Sequence, residues 1–291
     1  TALKDVKTSD AITFAPTQTT VSGNSELTAL INLKKLLPNA DFTAITIIQG
    51  TESDVALIKS AQKLAKDDAA VTITGQISAA DANAIAKATD GVLKATINSG
   101  SVAATLKALA DVKNIDYITF TTTDKTVNAR DLVDLHAKFK TPTNFDVTSI
   151  ETITENAKDV GVNAKNVTNA LLIAANADVK ISGNISADNA AAIAAAAGTG
   201  TLTATIFPGT AKNLEEALRG ETGALTLILT DETVVAGDLD ALTAVTTVAI
   251  NANSVKTITA LAGDVADVGA VYAAAALKQI SGLGNEIISI T

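Results

Sequence analysis

The chain has 291 residues, 47% of them hydrophobic and 18% charged, so its length allows about two domains and its composition excludes a charge-rich disordered chain. Its net charge of −9 argues against nucleic acid or an anionic membrane surface as a partner, because a polyanion binder needs clustered Lys and Arg. Cysteine is absent, which excludes a disulfide framework and a cysteine metal site, and the absence of a long apolar run argues against membrane insertion.

Strand-like segments, rich in β-branched residues and alternating between apolar and polar positions, recur along the chain. Near the N-terminus, residues 10–16 and 20–23 predict one or two strands that cap the rest. The later predicted strands cover residues 43–49, 70–75, 92–98, 116–122, 144–149, 178–183, 201–207, 224–230, 246–251 and 286–291. Ala- and Leu-rich segments with helical spacing lie between them, which predicts strands and short helices alternating with a period of about 24 residues.

Three of the predicted helices begin with a pattern that resembles a capping box. In each, a short polar side chain stands three residues before an aspartate, as in TESD at residues 51–54, SAAD at 78–81 and NARD at 128–131. We therefore expect Thr51, Ser78 and Asn128 to begin helices.

The sequence also repeats itself at a longer interval. The segment VTITG at residues 71–75 recurs about 108 residues later as VKISG at residues 179–183, and further matches follow in the same order. We interpret this as a duplication within one continuous array. The predicted organisation is an N-terminal adapter at 1–42, a first βα coil at 43–69, a first repeat at 70–177 and a second repeat at 178–291.

Strand, short helix and strand at a constant interval predict an α/β fold of the right-handed βα solenoid type, because parallel crossovers are almost always right-handed. The alternation predicts a single parallel sheet with short helices on one side. Apolar residues such as Ile45, Ile47, Val248 and Ile250 are assigned to the buried face. The other face is predicted to be exposed, Thr-rich and a contact surface formed by Thr46, Thr72, Thr96, Thr119, Thr148, Thr203, Thr226 and Thr247.

The last predicted strand has no predicted cap. A solenoid normally needs a polar cap to protect its open edge, so either the chain is a fragment or a partner or another copy covers this edge. The residues of this predicted assembly edge are Glu286, Ile287, Ile288, Ser289, Ile290 and Thr291.

Three stretches, ISGNISADNAAAIAAAAGTGTLTATI, TITALAGDVADVGAVYAAA and ISGLGNE, resemble Ala/Thr-rich repeat arrays of large cyanobacterial cell-surface and secreted proteins, and of cyanophage virion surface proteins. The resemblance covers roughly residues 70–291. It implies a structural, adhesive or display role on a cell or virion surface, with protein partners and no catalytic residues. Calcium-binding nonapeptides of such arrays do not occur here, so no cofactor is predicted, although calcium stays open. The N-terminus shows no secretory signal.

A few residues are candidates for chemistry. His136 lies near Asp131 and Asp134, which makes a Ser-His-Asp arrangement conceivable, but we favour a surface histidine near a helix C-terminus, where a cation is favoured. Asp124 and Asp231 occupy matching repeat positions and could hold a hard cation, although we favour a turn or helix-cap role. No phosphate-binding loop is present.

These features favour a non-enzymatic structural or adhesive protein exposed outside a cell or particle. The alternative is a virion surface component of a cyanophage, such as a head protrusion, horn or fibre-like appendage. A glycan-binding module is a more distant alternative, because the few aromatic residues include Tyr117 and Tyr272 and several of them are expected in the core. An ice-binding module, which would use the Thr rows, is equally distant.

Overall fold

The computed structural model describes residues 17–112, 116–140, 144–160 and 164–291. It is a mixed α/β structure in which every strand pair among these residues is parallel. The chain divides into two compact units. The first contains residues up to 124 together with 134–149, and the second contains 125–133 and 150–291. The repeat boundaries predicted from the sequence are a different division and stay predictions.

Short strands and helices alternate along the chain. In order they are β1 (Thr20–Ser22), α1 (Gly23–Leu36), β2 (Ile47–Thr51), α2 (Val55–Gln62), β3 (Ala70–Ile77), α3 (Ala79–Lys87), β4 (Leu93–Ile97), α4 (Val102–Ala108), β5 (Tyr117–Thr121), β6 (Thr126–Asn128), α5 (Ala129–His136), β7 (Phe145–Asp146), β8 (Thr152–Asn156), α6 (Ala157–Val160), α7 (Lys165–Ile173), β9 (Asp178–Ile185), α8 (Ala187–Ala197), β10 (Leu202–Ile206), α9 (Ala211–Leu218), β11 (Gly223–Thr226), β12 (Thr233–Val235), α10 (Ala236–Leu242), β13 (Ile250–Asn251), β14 (Thr257–Ala260), α11 (Val265–Ala276), β15 (Ile280–Ser281) and β16 (Ile287–Ile290). Short 3-10 helices precede α2 and α11.

The strands form four sheets, so the prediction of a single sheet is wrong. The first unit contains the order β1-β2-β3-β4-β5-β7, and the second contains β11-β10-β9-β8-β6, β12-β14-β16 and β13-β15. The difference comes from short strands that the sequence analysis missed. Each of β6, β8, β12 and β14 buries only one large apolar side chain, namely Val127, Ile153, Val234 and Ile258, and the second buried residue is Glu155 in β8 and Ala260 in β14. One large apolar residue is too few to show the alternation of a strand.

Two residues assigned to the buried face are exposed instead. Ile47 is exposed because Ile45 lies before the first residue of β2, so the alternation of the strand places Ile48 in the core. Val248 is exposed because it lies in a bend before β13, where Ile250 is buried. The predicted strand at residues 10–16 lies outside the described residues.

All three predicted helix starts are confirmed. Thr51 and Asp54 form a reciprocal capping box. Ser78 Oγ accepts a hydrogen bond from the Asp81 backbone N–H at 3.0 Å, and Asn128 Oδ1 accepts one from the Asp131 backbone N–H at 3.2 Å. Because these bonds join residues three apart, the sequence pattern alone was enough to predict them.

A glycine interrupts β3 and β9 at matching positions. Gly75 has a φ of +93° and Gly183 a φ of +92°, a region that side chains other than glycine rarely adopt. In both strands the pairing register to the next strand shifts around the glycine. The pairing to the next strand is therefore interrupted at the same position in β3 and in β9.

Candidate functional site

The predicted assembly edge lies on β16. This strand pairs with β14 in parallel, and Ile287, Ile288, Ser289 and Ile290 lie opposite residues 257–260. In the sheet order of the described residues, β16 is an end strand. Its other side is therefore an open row of backbone groups.

The hydrogen bonds of β16 identify which backbone groups face the open side. The Ile287 N–H donates to the Lys256 carbonyl at 2.8 Å, and the Thr291 N–H donates to the Ala260 carbonyl at 3.0 Å. Successive residues of a strand direct their backbone groups to opposite sides, so the Ile288 and Ile290 N–H groups face away from β14. No strand within the described ranges pairs with this side of β16.

Strands β3 and β9 show how such an edge is covered. In β9, Val179 lies opposite Ile153 of β8. In β16, Ile288 lies opposite Ile258 of β14, so Val179 and Ile288 have equivalent positions in the pairing register. The Val179 N–H donates to the Thr201 carbonyl beside β10, and in the first unit the Val71 N–H donates to the Val92 carbonyl, both at 2.9 Å. Ile288 thus corresponds to Val179, whose N–H donates to the next segment of the chain.

The side chains on the edge are unusually exposed for their positions. Val179 and Ile181 of β9 are 0% and 8% exposed, whereas Ile288 and Ile290 of β16 are 41% and 44% exposed. Burial of such apolar surface contributes about 25 cal/mol for each Å² removed from water. The edge therefore combines unpaired backbone with apolar side chains that an added strand would cover.

Glu286 anchors the start of β16. Its carboxylate accepts hydrogen bonds from the Tyr272 hydroxyl at 3.0 Å and from the Gly284 N–H at 2.8 Å. Partial burial opposes ionisation of Glu286, but these donors, together with the backbone N–H groups of Asn285 and Glu286, outweigh it, so the pKa of Glu286 is lowered. Burial, together with the bond to Glu286, raises the pKa of Tyr272.

The predicted Thr face is mixed in composition. Thr96 pairs with Thr119, but Thr72 lies between Gln49 and Lys94, so the residues do not form a continuous Thr ladder. In the second unit, Thr203 lies between Lys180 and Ala224, and Thr226 pairs with Thr205.

Three of the predicted face residues lie outside the strands. Thr148 is in a turn and donates its hydroxyl to Asp146 Oδ1 at 2.8 Å, and Thr247 is in a bend beside Gly223. Thr46 immediately precedes β2. A contact role for this face stays a prediction.

Asp124 and Asp231 act as helix caps, as the sequence analysis favoured. Asp124 Oδ2 accepts a hydrogen bond from the N–H of Val102, the first residue of α4, and Asp231 Oδ2 accepts one from the N–H of Ala211, the first residue of α9. Both N···O distances are 2.7 Å. Asp124 follows β5, the strand after α4, and Asp231 follows β11, the strand after α9. Each carboxylate therefore connects a helix to the strand that follows it in sequence.

His136 ends α5 as predicted, but it is not a fully exposed cation. Its ring lies 6.1 Å from that of Phe145, and burial lowers the pKa of His136. The effect of burial is opposite in sign to that expected at a helix C-terminus. Asp131 and Asp134 lie on the same helix as His136, α5.

One buried acid was missed by the sequence analysis. Glu155 in β8 is only 4% exposed, and its Oε1 accepts hydrogen bonds from Asn128 Nδ2 at 3.0 Å and from the Asn156 N–H at 2.9 Å. Its Oε2 makes no hydrogen bond to the described part of the chain. The signal was available, because Glu155 stands two residues after Ile153 and hence on the buried side of the strand.

Among the described residues, no group of three or more His, Asp or Glu side chains is placed to hold a metal ion. Within the same ranges no helix is both long and apolar enough to cross a lipid bilayer. Comparisons of the chain with protein families, with curated proteins and with solved structures find no match.

Proposed function

We propose that the protein is a non-enzymatic structural or adhesive repeat protein, displayed on the outside of a cell or particle, and that its coils form a right-handed βα solenoid. Consistently parallel pairing supports the solenoid, as do helices that contact their sequence neighbours, α1 to α4 within the first unit and α7 to α11 within the second. We also propose that the helices pack on one side of the sheets and that the opposite face of the sheets is polar.

The observation that carries the proposed function is the exposed apolar edge of β16. Ile288 and Ile290 occupy positions that are buried in β9, and their N–H groups face the open side. An exposed, apolar edge strand promotes pairing with another chain unless it is protected. This edge therefore favours assembly by addition of a parallel strand.

A second copy of the chain is the proposed occupant. Among the described residues, strand β1 is the end strand of the sheet in the first unit, and Val21 pairs with Ile48, which pairs with Val71. Val21 thus has the register position that Ile288 has in β16. Addition of β1 to β16 of another copy would be a head-to-tail contact, which produces filaments or closed rings. A surface coat and a virion appendage would both use such an assembly.

The experiment is light scattering and electron microscopy over a concentration series, with wild type and Ile288→Pro. Proline removes the N–H that faces the open side, is tolerated in an edge strand, and leaves the bonds of Ile287 and Thr291 to β14 in place. Leu172→Lys, which changes an exposed apolar residue on α7, is the control.

We expect the mass of wild type and Leu172→Lys to rise with concentration, and the mass of Ile288→Pro to stay that of one chain over at least a tenfold wider range. A wild type that stays monomeric at all concentrations would contradict assembly through this edge. The same holds if Ile288→Pro assembles like wild type.

A further inference from the structure

A groove in the second unit lies where the carboxyl ends of three parallel strands meet. It follows β8, β9 and β10 and has a volume of about 860 Å³. Its walls include Asn156, Ser182, Asn184, Ser186, Asp188 and Phe207.

The first unit contains the same strand arrangement, and there a side chain fills the corresponding space. Glu52 follows β2, and its carboxylate lies directly over Gly75, where it would collide with a Cβ atom on that glycine. In the second unit the residue that follows β8 is Ala157, whose Cβ lies 3.0 Å from the Cβ position of Gly183. The groove is therefore open because a small residue replaces a long one.

A second difference gives the groove an aromatic wall. Asn98 follows β4 and donates its N–H to the Ile77 carbonyl, and Phe207 follows β10 and donates its N–H to the Ile185 carbonyl, both at 2.9 Å. The two residues thus occupy equivalent backbone positions. Phe207 is 55% exposed, so its ring is available to a ligand.

The buried acid Glu155 holds Asn156, a polar residue of the groove wall, in position. Asn156 donates its N–H to Glu155 Oε1 and its side-chain amide to Ser182 Oγ at 3.4 Å. Glu155 also lines a smaller pocket that shares Asn156 and Ser182 with the groove, and its Oε2 has no partner within the described ranges. A carboxylate oxygen that is buried without a partner is costly, so a ligand that donates a hydrogen bond to it would be favoured.

We propose that this groove binds a short neutral oligosaccharide. A sugar ring has an apolar C–H face that can pack on Phe207, and hydroxyl groups that can exchange hydrogen bonds with the amides of Asn156 and Asn184. Lys158 and Asp188 contribute opposite charges, so the groove does not favour an ion of either sign. The volume lies in the range of small-ligand sites, about 300–1,000 Å³.

The test is ligand-observed NMR with maltotriose, cellotriose and triacetylchitotriose as probes, preceded by a glycan array that includes sulfated and sialylated sugars. The protein is the full chain carrying Ile288→Pro, so that assembly and binding are measured independently. Phe207→Asn and Ala157→Glu convert the groove to the residues of the first unit. Leu172→Asn is the matched control, because it removes an exposed apolar side chain elsewhere in the second unit.

We expect at least one neutral trisaccharide to bind, each groove variant to weaken that binding at least tenfold, and Leu172→Asn to change it less than twofold. Phe207→Asn alters an exposed side chain, so it remains informative if Ala157→Glu unfolds, which thermal melting would detect. The proposal is overturned if no neutral sugar binds, if only anionic sugars bind, or if Phe207→Asn binds sugar as tightly as the Ile288→Pro parent. Binding of an unstructured peptide in place of sugars would likewise overturn it.

Discussion

Ile290 lies opposite Ala260 in the β14–β16 pair. Ile181 lies opposite Glu155 in the β8–β9 pair, in the same pairing register. The two isoleucines thus hold equivalent positions, yet Ile181 is 8% exposed and Ile290 is 44% exposed. β10 pairs with β9 on either side of Ile181, at residues 179–180 and 184–185, whereas no described strand pairs with the outer side of β16.

This relationship predicts different costs for the same substitution. Ile181→Ala should lower the free energy of unfolding by about 2–4 kcal/mol, because it leaves a cavity in a packed core. Ile290→Ala should cost less than about 1.5 kcal/mol in the unassembled chain, because less apolar surface is buried there. Urea denaturation at low protein concentration measures both values. Equal costs would show that the edge is already covered in the single chain.

The two aspartate caps should contribute equally to stability. Asp124→Ala and Asp231→Ala should each lower the free energy of unfolding by about 1–2 kcal/mol, because each leaves a helix N–H without its charged acceptor. Thermal or urea unfolding measures the loss, with Asp159→Ala, an exposed acid on α6, as the control. If calcium raises the melting temperature and either variant abolishes that rise, these aspartates bind a cation and the cap assignment is incomplete.

His136 should make stability fall on mild acidification. Because burial lowers its pKa from 6.5 in the folded state, the unfolded chain binds a proton more strongly than the folded chain. Its contribution is therefore complete above the unfolded pKa and decreases as the pH falls from about 7 to about 5. Urea unfolding of wild type and His136→Gln over this interval measures the effect. A slope that survives unchanged in His136→Gln would assign the loss to other groups.

Glu155 should tolerate neutralisation but not removal. Glu155→Ala should cost about 2–3 kcal/mol, because Asn128 and the Asn156 N–H lose a buried acceptor. Glu155→Gln keeps an acceptor oxygen and removes an incompletely paired buried charge, so it should lie within about 1 kcal/mol of wild type. Chemical denaturation compares them, with the exposed Glu232→Gln as the control. A Gln variant as unstable as the Ala variant would mean that the charge itself is needed.

Several strands could be predicted because their evidence is local. The strands β3, β4, β5, β9 and β10 have alternation long enough to be recognised; β4, β5 and β10 lie within the predicted segments, and β3 and β9 extend two residues beyond them. The short strands β6, β8, β12 and β14 could not be recognised in this way. Three to five residues with one large apolar side chain become a strand only when a neighbouring strand supplies the hydrogen-bond partners.

The edge at Ile288 and the groove at Phe207 show where prediction from sequence ends. The sequence by itself determined the β-branched alternation, the helix caps at Thr51, Ser78 and Asn128, and the position of the last strand, because these depend on residues a few positions apart. Only the tertiary structure decided that the strands divide into four sheets and that Ala157 leaves open the space which Glu52 fills. The physical reason is that register and crossovers bring together residues distant in sequence, and the space between them depends on every side chain that meets there.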